Sequence, residues 1–215
     1  MTDIPTGWYG RTMIREDLLD AAVTLVRRQG FASTSVDELC RTAGVTKGAF
    51  FHYFPTKEAL GEAAAEHWSV TTGAFFSSAA YHGLPDPADR VLAYIDLRRE
   101  LISGSPAEYS CYAGTLAQET FVSNPALRDA CASSILDHAA TLEADLAAAL
   151  GPDRADGVHA AGLARHIQAV IQGAFVVSKA ADDPQIAVDS IEHLHRYLQL
   201  LFATRTEPVT RGDRT

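Results

Sequence analysis

Cysteine is scarce in this chain of 215 residues, which has only three, far apart and without a Cys-x-x-Cys pair. An odd number of distant cysteines argues against a disulfide framework and against a zinc site. Cys40 and Cys131 occupy apolar positions in helical patterns, so we expect these two thiols to be buried and inert. A redox-sensing cysteine remains the alternative.

The chain also lacks the usual signals of secretion and of membrane insertion. Its first residues contain no basic segment followed by an apolar run, and no stretch reads as long and apolar enough to span a bilayer. We therefore expect a cytoplasmic protein without a membrane partner.

Signatures of catalysis and of cofactor binding are missing as well. No Ser-His-Asp arrangement, phosphate-binding loop or dinucleotide fingerprint stands out, so we predict neither an enzyme nor a cofactor. His159 and His166 are seven residues apart, and His193 and His195 point to different helix faces, so neither pair has the spacing of helical metal ligands. We predict no metal site, and a metal-responsive regulator remains open.

The formal net charge of −9 is unevenly distributed along the chain. Residues 1–60 contain seven Lys or Arg and seven Asp or Glu, which cancel, so the remaining eleven basic and twenty acidic residues carry the whole −9. Repulsion from DNA is thus concentrated in the C-terminal part, while Arg11, Arg15, Lys47 and Lys57 can form a local positive face. This distribution favours two functions on one chain.

Nearly every segment has helical periodicity and none alternates like a strand, which predicts an all-α protein of about nine helices. Glycines, prolines and capping residues place these helices at about 12–29, 36–43, 47–53, 57–81, 87–103, 107–122, 125–150, 155–180 and 185–204. Thr34 with Asp37, or Ser35 with Glu38, can form the capping box of the second helix. We predict a first domain at 1–56, a second at 57–204 and a flexible tail at 205–215.

The most informative segment is a short helix with Lys, His, Tyr and hydroxyl side chains between amphipathic helices. It reads Gly44-Val45-Thr46-Lys47-Gly48-Ala49-Phe50-Phe51-His52-Tyr53-Phe54-Pro55-Thr56-Lys57-Glu58. The second helix of a helix-turn-helix presents such residues to base edges in the major groove. Phe50 and Phe54, at i and i+4, are more typical of residues that anchor the helix in the core.

This segment resembles the signature of TetR-family transcriptional regulators, in which Gly-Val-Ser/Thr-Lys-Gly leads through aromatic residues to Ser/Thr-Lys-Glu. The segment Ser110-Cys111-Tyr112-Ala113-Gly114-Thr115-Leu116-Ala117-Gln118-Glu119 also resembles a Gly-Cys-x-x-Gly-x-Leu-Ala-x-Glu pattern of one branch, with Ser110 where Gly is usual. The resemblance implies an N-terminal three-helix helix-turn-helix domain that binds DNA, followed by a helical domain for ligand binding and dimerisation.

Residues of the first domain are expected to contact operator DNA. Thr46, Lys47 and Ala49 are the expected base readers, and Gly48 leaves room for close approach to the duplex. Thr34 and Lys57 stand at helix N-termini, where phosphate oxygens bind well. The resemblance supports contacts at Thr34, Thr46, Lys47, Ala49, Phe51, His52, Tyr53 and Lys57.

Two-fold dimers read two half-sites, and the last two helices carry apolar seams suited to a dimer interface. The predicted interface residues are Leu163, Ile167, Val170, Gly173, Ala174, Val177, Leu194, Tyr197, Leu198 and Leu201. The alternative is that both faces are covered within one subunit. For an effector pocket in the second domain, the candidates are Trp68, Phe75, Phe76, Tyr94, Tyr112, Phe121, Gln168 and Gln172.

The sequence therefore predicts a ligand-responsive transcriptional regulator, a repressor that binds a palindromic double-stranded operator as a homodimer and is released by a small-molecule effector. The alternatives are a metal- or thiol-responsive regulator and a helical small-molecule-binding protein that does not bind DNA.

Overall fold

Over residues 7–152 and 157–203, which the computed structural model describes, with side chains from Met13 onward, the chain is helical and has no strand. The predicted tail from Arg205 and the side chain of Arg11 lie outside this part. The α-helices are α1 (Gly7–Gln29), α2 (Val36–Thr42), α3 (Lys47–Tyr53), α4 (Lys57–Ser77), α5 (Pro87–Glu100), α6 (Pro106–Tyr109), α7 (Tyr112–Thr120), α8 (Pro125–Ala140), α9 (Glu143–Leu150), α10 (Ala160–Ala181) and α11 (Pro184–Ala203). A 3-10 turn at Ala80–Gly83 follows α4.

The ends of the first helices follow from residues that terminate or satisfy backbone hydrogen bonding. Gly30 ends α1 with a φ of +85°, and Ser35 begins α2 through a capping box with Glu38. Thr46 and Thr56 begin α3 and α4, because each hydroxyl oxygen accepts a hydrogen bond from the amide three residues further on. Of the two capping boxes that the sequence allows, the chain forms the second.

Two of the predicted helices are each divided in two. The helix predicted at 107–122 is interrupted between α6 and α7, where the carbonyl oxygen of Ser110 accepts a hydrogen bond from Arg27 Nε at 2.6 Å. The helix predicted at 125–150 is interrupted between α8 and α9 at Leu142, a buried residue without glycine or proline beside it. The first interruption thus coincides with a tertiary hydrogen bond, and the second with a buried residue that no local helix-breaking signal marks.

Two hydrophobic clusters form the core, and they do not follow the order of the chain. The head cluster joins α1–α4 to α7 and α8; it contains Leu18, Leu19, Ala21, Ala22, Leu25, Val26, Phe31, Leu39, Cys40, Phe50, Phe54, Leu60, Ala64, Ala65, Tyr112, Ala113, Leu116, Leu127 and Cys131. The body cluster joins α5, α9, α10 and α11, with Phe76, Tyr81 and Tyr109 among its buried members. The helices α1 and α4 are thus packed on α7 and α8, so the head cluster crosses the predicted boundary at residue 56.

The strongest apolar stripes of α10 and α11 face inward. Five residues predicted at the dimer interface, each at most 4% exposed, belong to the body cluster: Leu163, Ile167, Ala174, Leu194 and Leu198. That part of the interface prediction is wrong, because packing within the subunit uses the most continuous stripe of each helix. Val170 and Leu201 are partly buried at the edge of the same cluster.

The outward face of these two helices is also apolar. It carries Gly173, Val176, Val177, Tyr197 and Leu200. Val177 is 53% exposed and Leu200 is 71% exposed. A Cβ at Gly173 would meet nothing within 4 Å, so the subunit itself does not require glycine there.

By length and composition alone, α10 could cross a membrane, and it is the one helix in the described ranges that meets this test. The prediction that no stretch is long and apolar enough to span a bilayer is therefore wrong for α10. The test is weak evidence, since a helix at the centre of a core also meets it, and one stripe of α10 is buried in the body cluster.

Candidate DNA-reading helix and ligand cavity

A four-residue turn joins α2 to α3 and fixes their relative direction. Gly44 takes a φ of +67°, and the amide of Val45 donates to the carbonyl oxygen of Cys40 at 2.9 Å. Thr46 then begins α3, because its Oγ1 accepts a hydrogen bond from the amide of Ala49 at 3.1 Å. The two helices and this turn form a helix-turn-helix.

One side of α3 is buried in the head cluster and the other faces outward. Phe50 is fully buried and Phe54 is 4% exposed, with their ring centroids 6.1 Å apart, so these two residues anchor the helix as expected. Lys47, Gly48 and His52 are exposed. Phe51 is 54% exposed, and its ring contacts the buried Phe50 ring edge-on at a centroid distance of 5.1 Å. Ala49 and Tyr53 lie half-buried at the edges of the outward side.

The exposed glycine at the start of α3 has no structural reason within the chain. A Cβ at Gly48 would meet only Thr46 Oγ1, at 3.8 Å, which is an ordinary contact. The space beside Gly48 on the outer side of α3 is therefore open, and the chain itself does not require a glycine there.

Lys47 forms an exposed ion pair with Asp37 that links α3 to α2. Its Nζ lies 2.6 Å from Asp37 Oδ1, and the two side chains are 61% and 66% exposed. The hydrogen bond and the charge of Asp37 raise the pKa of Lys47, which therefore stays protonated. A phosphate approaching α3 would compete with Asp37 for this ammonium group.

The two predicted phosphate contacts at helix N-termini are directed into the protein instead. Thr34 is 2% exposed, and its hydroxyl donates to the carbonyl oxygen of Gly30 at 2.7 Å. Lys57 Nζ donates to the carbonyl oxygens of Phe31 at 2.9 Å and Thr34 at 3.1 Å, and lies 4.3 Å from the Phe31 ring centroid. Both residues satisfy the backbone of the turn between α1 and α2, so neither group is free for DNA in this structure.

This turn is also held from the opposite side by α7. The carboxylate oxygens of Glu119 accept hydrogen bonds from the amides of Phe31 and Ala32, both at 2.9 Å. A Cβ at Gly30 would lie 2.5 Å from Glu119 Oε1, so the carboxylate needs glycine beside it. The chain segment leading into α2 is therefore fastened to α4 by Lys57 and to α7 by Glu119.

A cavity of about 340 Å³ lies between the head cluster and the body cluster. It is lined by Arg27, Trp68, Thr71, Thr72, Phe75, Phe76, Arg98, Leu101, Ile102, Glu108, Tyr109, Cys111, Ser134, Ile135, His138, Gln168, Gln172 and Phe175. Five of these residues were pocket candidates from the sequence: Trp68, Phe75, Phe76, Gln168 and Gln172. Its volume and mainly apolar lining are typical of small-molecule sites.

A hydrogen-bonded chain of three side chains stiffens one wall. Gln168 Nε2 donates to Tyr94 Oη at 3.0 Å, and Tyr94 Oη lies 3.0 Å from His138 Nε2. Burial and the charge of Arg98 lower the pKa of His138 to about 4. The imidazole is therefore neutral near pH 7, and its Nε2 can accept the Tyr94 proton.

Another part of the wall comes from α1, a helix of the first domain. Arg27 donates through Nε to Ser110 and through its terminal nitrogen to the carbonyl oxygen of Glu108, while its guanidinium lies 5.1 Å from the Trp68 ring centroid. Burial lowers the pKa of Arg27. Lys179 Nζ donates to the Arg27 carbonyl oxygen at 3.0 Å, which ties α10 to the same point.

The position of Gln172 explains why residue 114, within the segment 110–119, is a glycine. A Cβ at Gly114 would overlap Gln172 Oε1, so α10 can bring this amide against α7 only because residue 114 has no side chain. The amide nitrogen of Gln172 has no hydrogen-bond acceptor among the described residues.

Three pocket predictions are wrong. Tyr94 is fully buried behind the wall; Tyr112 is fully buried in the head cluster, where its hydroxyl donates to the Gly61 carbonyl oxygen at 3.1 Å. Phe121 is 60% exposed on the surface. Sequence reasoning missed Arg27 and Arg98, because charged residues in amphipathic helices usually face solvent.

The cysteines differ in their surroundings. Cys40 and Cys131 are buried, as predicted, and burial raises the pKa of both thiols, that of Cys131 to about 12. Cys111 lines the cavity, and its Sγ accepts a hydrogen bond from the amide of Gly114 at 3.3 Å. In residues 7–152 and 157–203, no group of three or more His, Cys, Asp or Glu is placed to hold a metal ion.

Both parts of the chain match known protein families. Residues 18–64 match the profile "Bacterial regulatory proteins, tetR family", and residues 87–189 match the "Transcriptional regulator LmrA/YxaF-like, C-terminal domain". The chain belongs to the TetR family of bacterial transcriptional regulators. Its C-terminal part is the ligand-binding domain of such a regulator, and the predicted family and fold class are confirmed.

Individual relatives agree over parts of their length. The chain is 27% identical to the transcriptional regulator AcuR of Cereibacter sphaeroides over 115 residues, which are 54% of this chain and 52% of AcuR. It is 38% identical to the transcriptional repressor NemR of Escherichia coli over 80 residues, which are 37% of this chain and 40% of NemR. The chain thus aligns with about half or less of these two proteins. Such relatives are regulators, a class that is generally not enzymatic.

Solved structures show the same fold over most of the chain. A TetR regulator from Chloroflexus aurantiacus superposes with a TM-score of 0.76 at 24% identity, covering 89% of this chain and 96% of that one. The reduced form of Escherichia coli NemR superposes with a TM-score of 0.69 at 24% identity, covering 84% of this chain and 95% of that one.

Proposed function

We propose that this regulator is a repressor that binds a palindromic operator as a homodimer and releases it when a small-molecule effector enters the cavity. The observation that carries the proposal is the cavity wall, which includes Arg27 of α1 and Trp68 of α4. These are the helices on which the helix-turn-helix is packed. A cytoplasmic location without a membrane partner belongs to the same proposal.

The reader surface is the outward side of α3 with its capping residue. It comprises Thr46, Lys47, Gly48, Ala49, Phe51, His52 and Tyr53. Its exposed ammonium, its half-exposed Phe51 ring and the open space at Gly48 suit close docking in a major groove. The buried Thr34 and the internally bonded Lys57 support this surface without belonging to it.

The dimer interface is the outward apolar face of α10 and α11. An apolar face exposed on two adjacent long helices is costly unless a partner covers it. A second copy supplies an identical face, and two-fold pairing places two α3 helices for two half-sites. Gly173 allows the two subunits to approach closely, since no atom of its own chain needs that space.

Effector binding acts on the turn between α1 and α2 and on α4. A ligand in the cavity contacts Arg27 and Trp68, while Lys57 and Glu119 transmit any shift of α4 or α7 to the turn that precedes α2. The spacing of the two α3 helices then changes, and a spacing different from about one helical turn of DNA no longer fits both half-sites.

A thiol-responsive regulator is the second candidate, favoured by one observation. Cys111 lines the cavity, whereas Cys40 and Cys131 are buried. An oxidant or electrophile would therefore reach Cys111 first. If a Cys111→Ser variant releases the operator under the same treatment as the wild type, this candidate is removed.

DNA binding is tested by selecting bound sequences from random duplexes with purified protein and measuring affinities at several salt concentrations. We expect a palindrome, and we expect Lys47→Ala to weaken binding by about tenfold or more. Arg128→Ala removes an exposed, ion-paired charge on α8 and serves as the control. Equal affinity of the Lys47 variant and the wild type would remove α3 as the reader.

Dimerisation is tested by light scattering at micromolar protein. Val177→Glu places a charge at the centre of the outward face and should yield monomers that bind the operator poorly. Val70→Glu, at a valine that is 65% exposed on α4, is the matched control and should remain dimeric. A wild type that is monomeric, or a dimeric Val177 variant, contradicts this interface.

A further inference from the structure

Arg98 of α5 brings an unpaired guanidinium group to the cavity. Its Cζ lies 5.1 Å from the ring centroid of Phe76 and 6.0 Å from those of Tyr94 and Phe175. No carboxylate or carbonyl oxygen of the described residues accepts a hydrogen bond from it. The next residue, Arg99, instead forms ion pairs with two carboxylates on the outer surface. Stacking on three rings holds the Arg98 group in place and leaves its N–H donors unused.

The charges of the lining do not balance. Arg27 and Arg98 are cationic, and Glu108 is the one carboxylate in the lining. That carboxylate already accepts hydrogen bonds from the amide of Ser105 at 2.6 Å and from its hydroxyl at 2.9 Å. His138 is neutral near pH 7. The cavity therefore carries one positive charge in excess, in surroundings that are largely apolar and exclude part of the water.

The wall offers further donors beside this charge. The Gln172 side chain lines the cavity with its Oε1 beside Gly114, and its amide nitrogen has no acceptor among the described residues. His138 uses Nε2 toward Tyr94, which leaves Nδ1–H as a donor. The Arg98 and Gln172 side chains are only partly buried, so their donors are accessible, and a ligand with anionic oxygen atoms would supply acceptors for them.

We propose that the effector is an organic anion with a flat apolar body and a carboxylate group bound by Arg98. This inference rests on the proposed function, because it assigns a chemical class to the effector of the same cavity. The planar guanidinium matches a carboxylate through two parallel hydrogen bonds. The body packs against Trp68, Phe75 and Phe175, and a volume of about 340 Å³ accommodates a bicyclic aromatic acid.

The test is isothermal titration of the purified, DNA-free protein with three ligands that share one ring system. Naphthoate, naphthamide and naphthylmethylammonium carry a negative, a neutral and a positive group. We expect naphthoate to bind at least about tenfold more tightly than naphthamide, and the ammonium compound most weakly. Equal affinities, a preference for the ammonium compound or no binding of naphthoate overturns the inference.

Variants of two adjacent arginines assign the preference to Arg98. Arg98→Gln should remove the preference for naphthoate while naphthamide still binds, which shows that the cavity is intact. Arg98→Lys keeps the charge without the planar group and should retain part of the preference. Arg99→Gln removes a charge from the same helix outside the cavity and should keep the wild-type preference. A preference that survives in Arg98→Gln overturns the assignment.

Selection of operator DNA separates this inference from the proposed function. A protein that selects a palindrome but does not distinguish the three ligands contradicts the ligand class alone. A protein that prefers naphthoate but selects no DNA sequence contradicts the proposed function alone.

Discussion

The two hydrophobic clusters divide the molecule differently from its sequence. The head cluster holds the helix-turn-helix but takes Tyr112, Leu116 and Leu127 from α7 and α8, whereas the body cluster holds α10 and α11, which carry the outward apolar face. The cavity lies between the two, and Cys111 in its wall packs against both clusters. A molecule that fills the cavity would therefore lie between the part that carries α3 and the part proposed to dimerise.

The first domain does not close its own core. The helices α1 and α4, against which the short α2 and α3 are held, bury part of their apolar faces on α7 and α8, because so small a unit has too little surface to bury alone. Helix α7 contributes to the head cluster that holds α3, and its N-cap residue Cys111 lines the cavity, so α7 joins the two sites structurally.

The largest expected effect comes from replacing one fully buried leucine in each hydrophobic cluster and comparing the two variants. Leu127→Ala in α8 and Leu146→Ala in α9 both replace fully buried side chains, so each should lower the free energy of unfolding by about 2–5 kcal/mol. When the two variants are compared at equal free energy of unfolding, only Leu127→Ala should speed the hydrogen exchange of α2 and α3, as measured by mass spectrometry. The division into two clusters is wrong if both variants affect α3 alike.

The second prediction concerns His138 and pH. Its folded-state pKa of about 4 lies below the ordinary value of 6.5, so the unfolded chain binds a proton that the folded chain does not between these values. Stability is therefore lost as pH falls through this window, by up to about 3 kcal/mol for this group. Denaturant unfolding of wild type and His138→Gln across the window should show the smaller loss in the variant. Parallel curves would contradict this assignment.

The third prediction tests the fastening of the α1–α2 turn to α7. Glu119→Gln removes the charge that two amides share, so the free energy of unfolding should fall by about 1–2 kcal/mol and exchange at Phe31 and Ala32 should quicken. The exposed Glu16→Gln on α1 is the control. Unchanged exchange at these two amides would show that the carboxylate does not hold the turn.

The smallest expected effect is a gain in DNA affinity. Asp37→Asn frees the Lys47 ammonium and removes a negative charge beside the reader surface, so operator affinity should rise by about two- to fivefold. Asp129→Asn breaks a similar exposed pair on α8 and should leave affinity unchanged. A lower affinity of the Asp37 variant in mobility-shift titrations would mean that the ion pair positions Lys47 for DNA.

The sequence predicts the first domain well because local rules determine it. Gly30, Gly44, Thr46 and Thr56 end or begin helices through their own side chains or their lack of one, and each does so in the structure. The predicted anchors Phe50 and Phe54 are buried for the same reason, since their spacing places them on one face.

Tertiary choices limit the remaining predictions. Leu163 and Leu198 lie on apolar faces that are buried within the subunit. The prediction failed here because a sequence pattern shows that a helix face is apolar, but not which of two apolar faces the subunit itself covers. Lys57 was expected at a phosphate and instead bonds the carbonyl oxygen of Phe31, a contact between segments that no local pattern encodes. Arg98 resembles any charged residue of an amphipathic helix until three aromatic rings are seen around it.

Coupling between cavity and operator tests the central claim most directly. The affinity of naphthoate is measured by titration for the free dimer and for the dimer saturated with its selected operator. Because coupling is reciprocal, we expect the operator to weaken naphthoate binding by about five- to a hundredfold, and Glu119→Gln to reduce this ratio. Equal affinities for the free and the DNA-bound protein would contradict a cavity that acts between the two clusters.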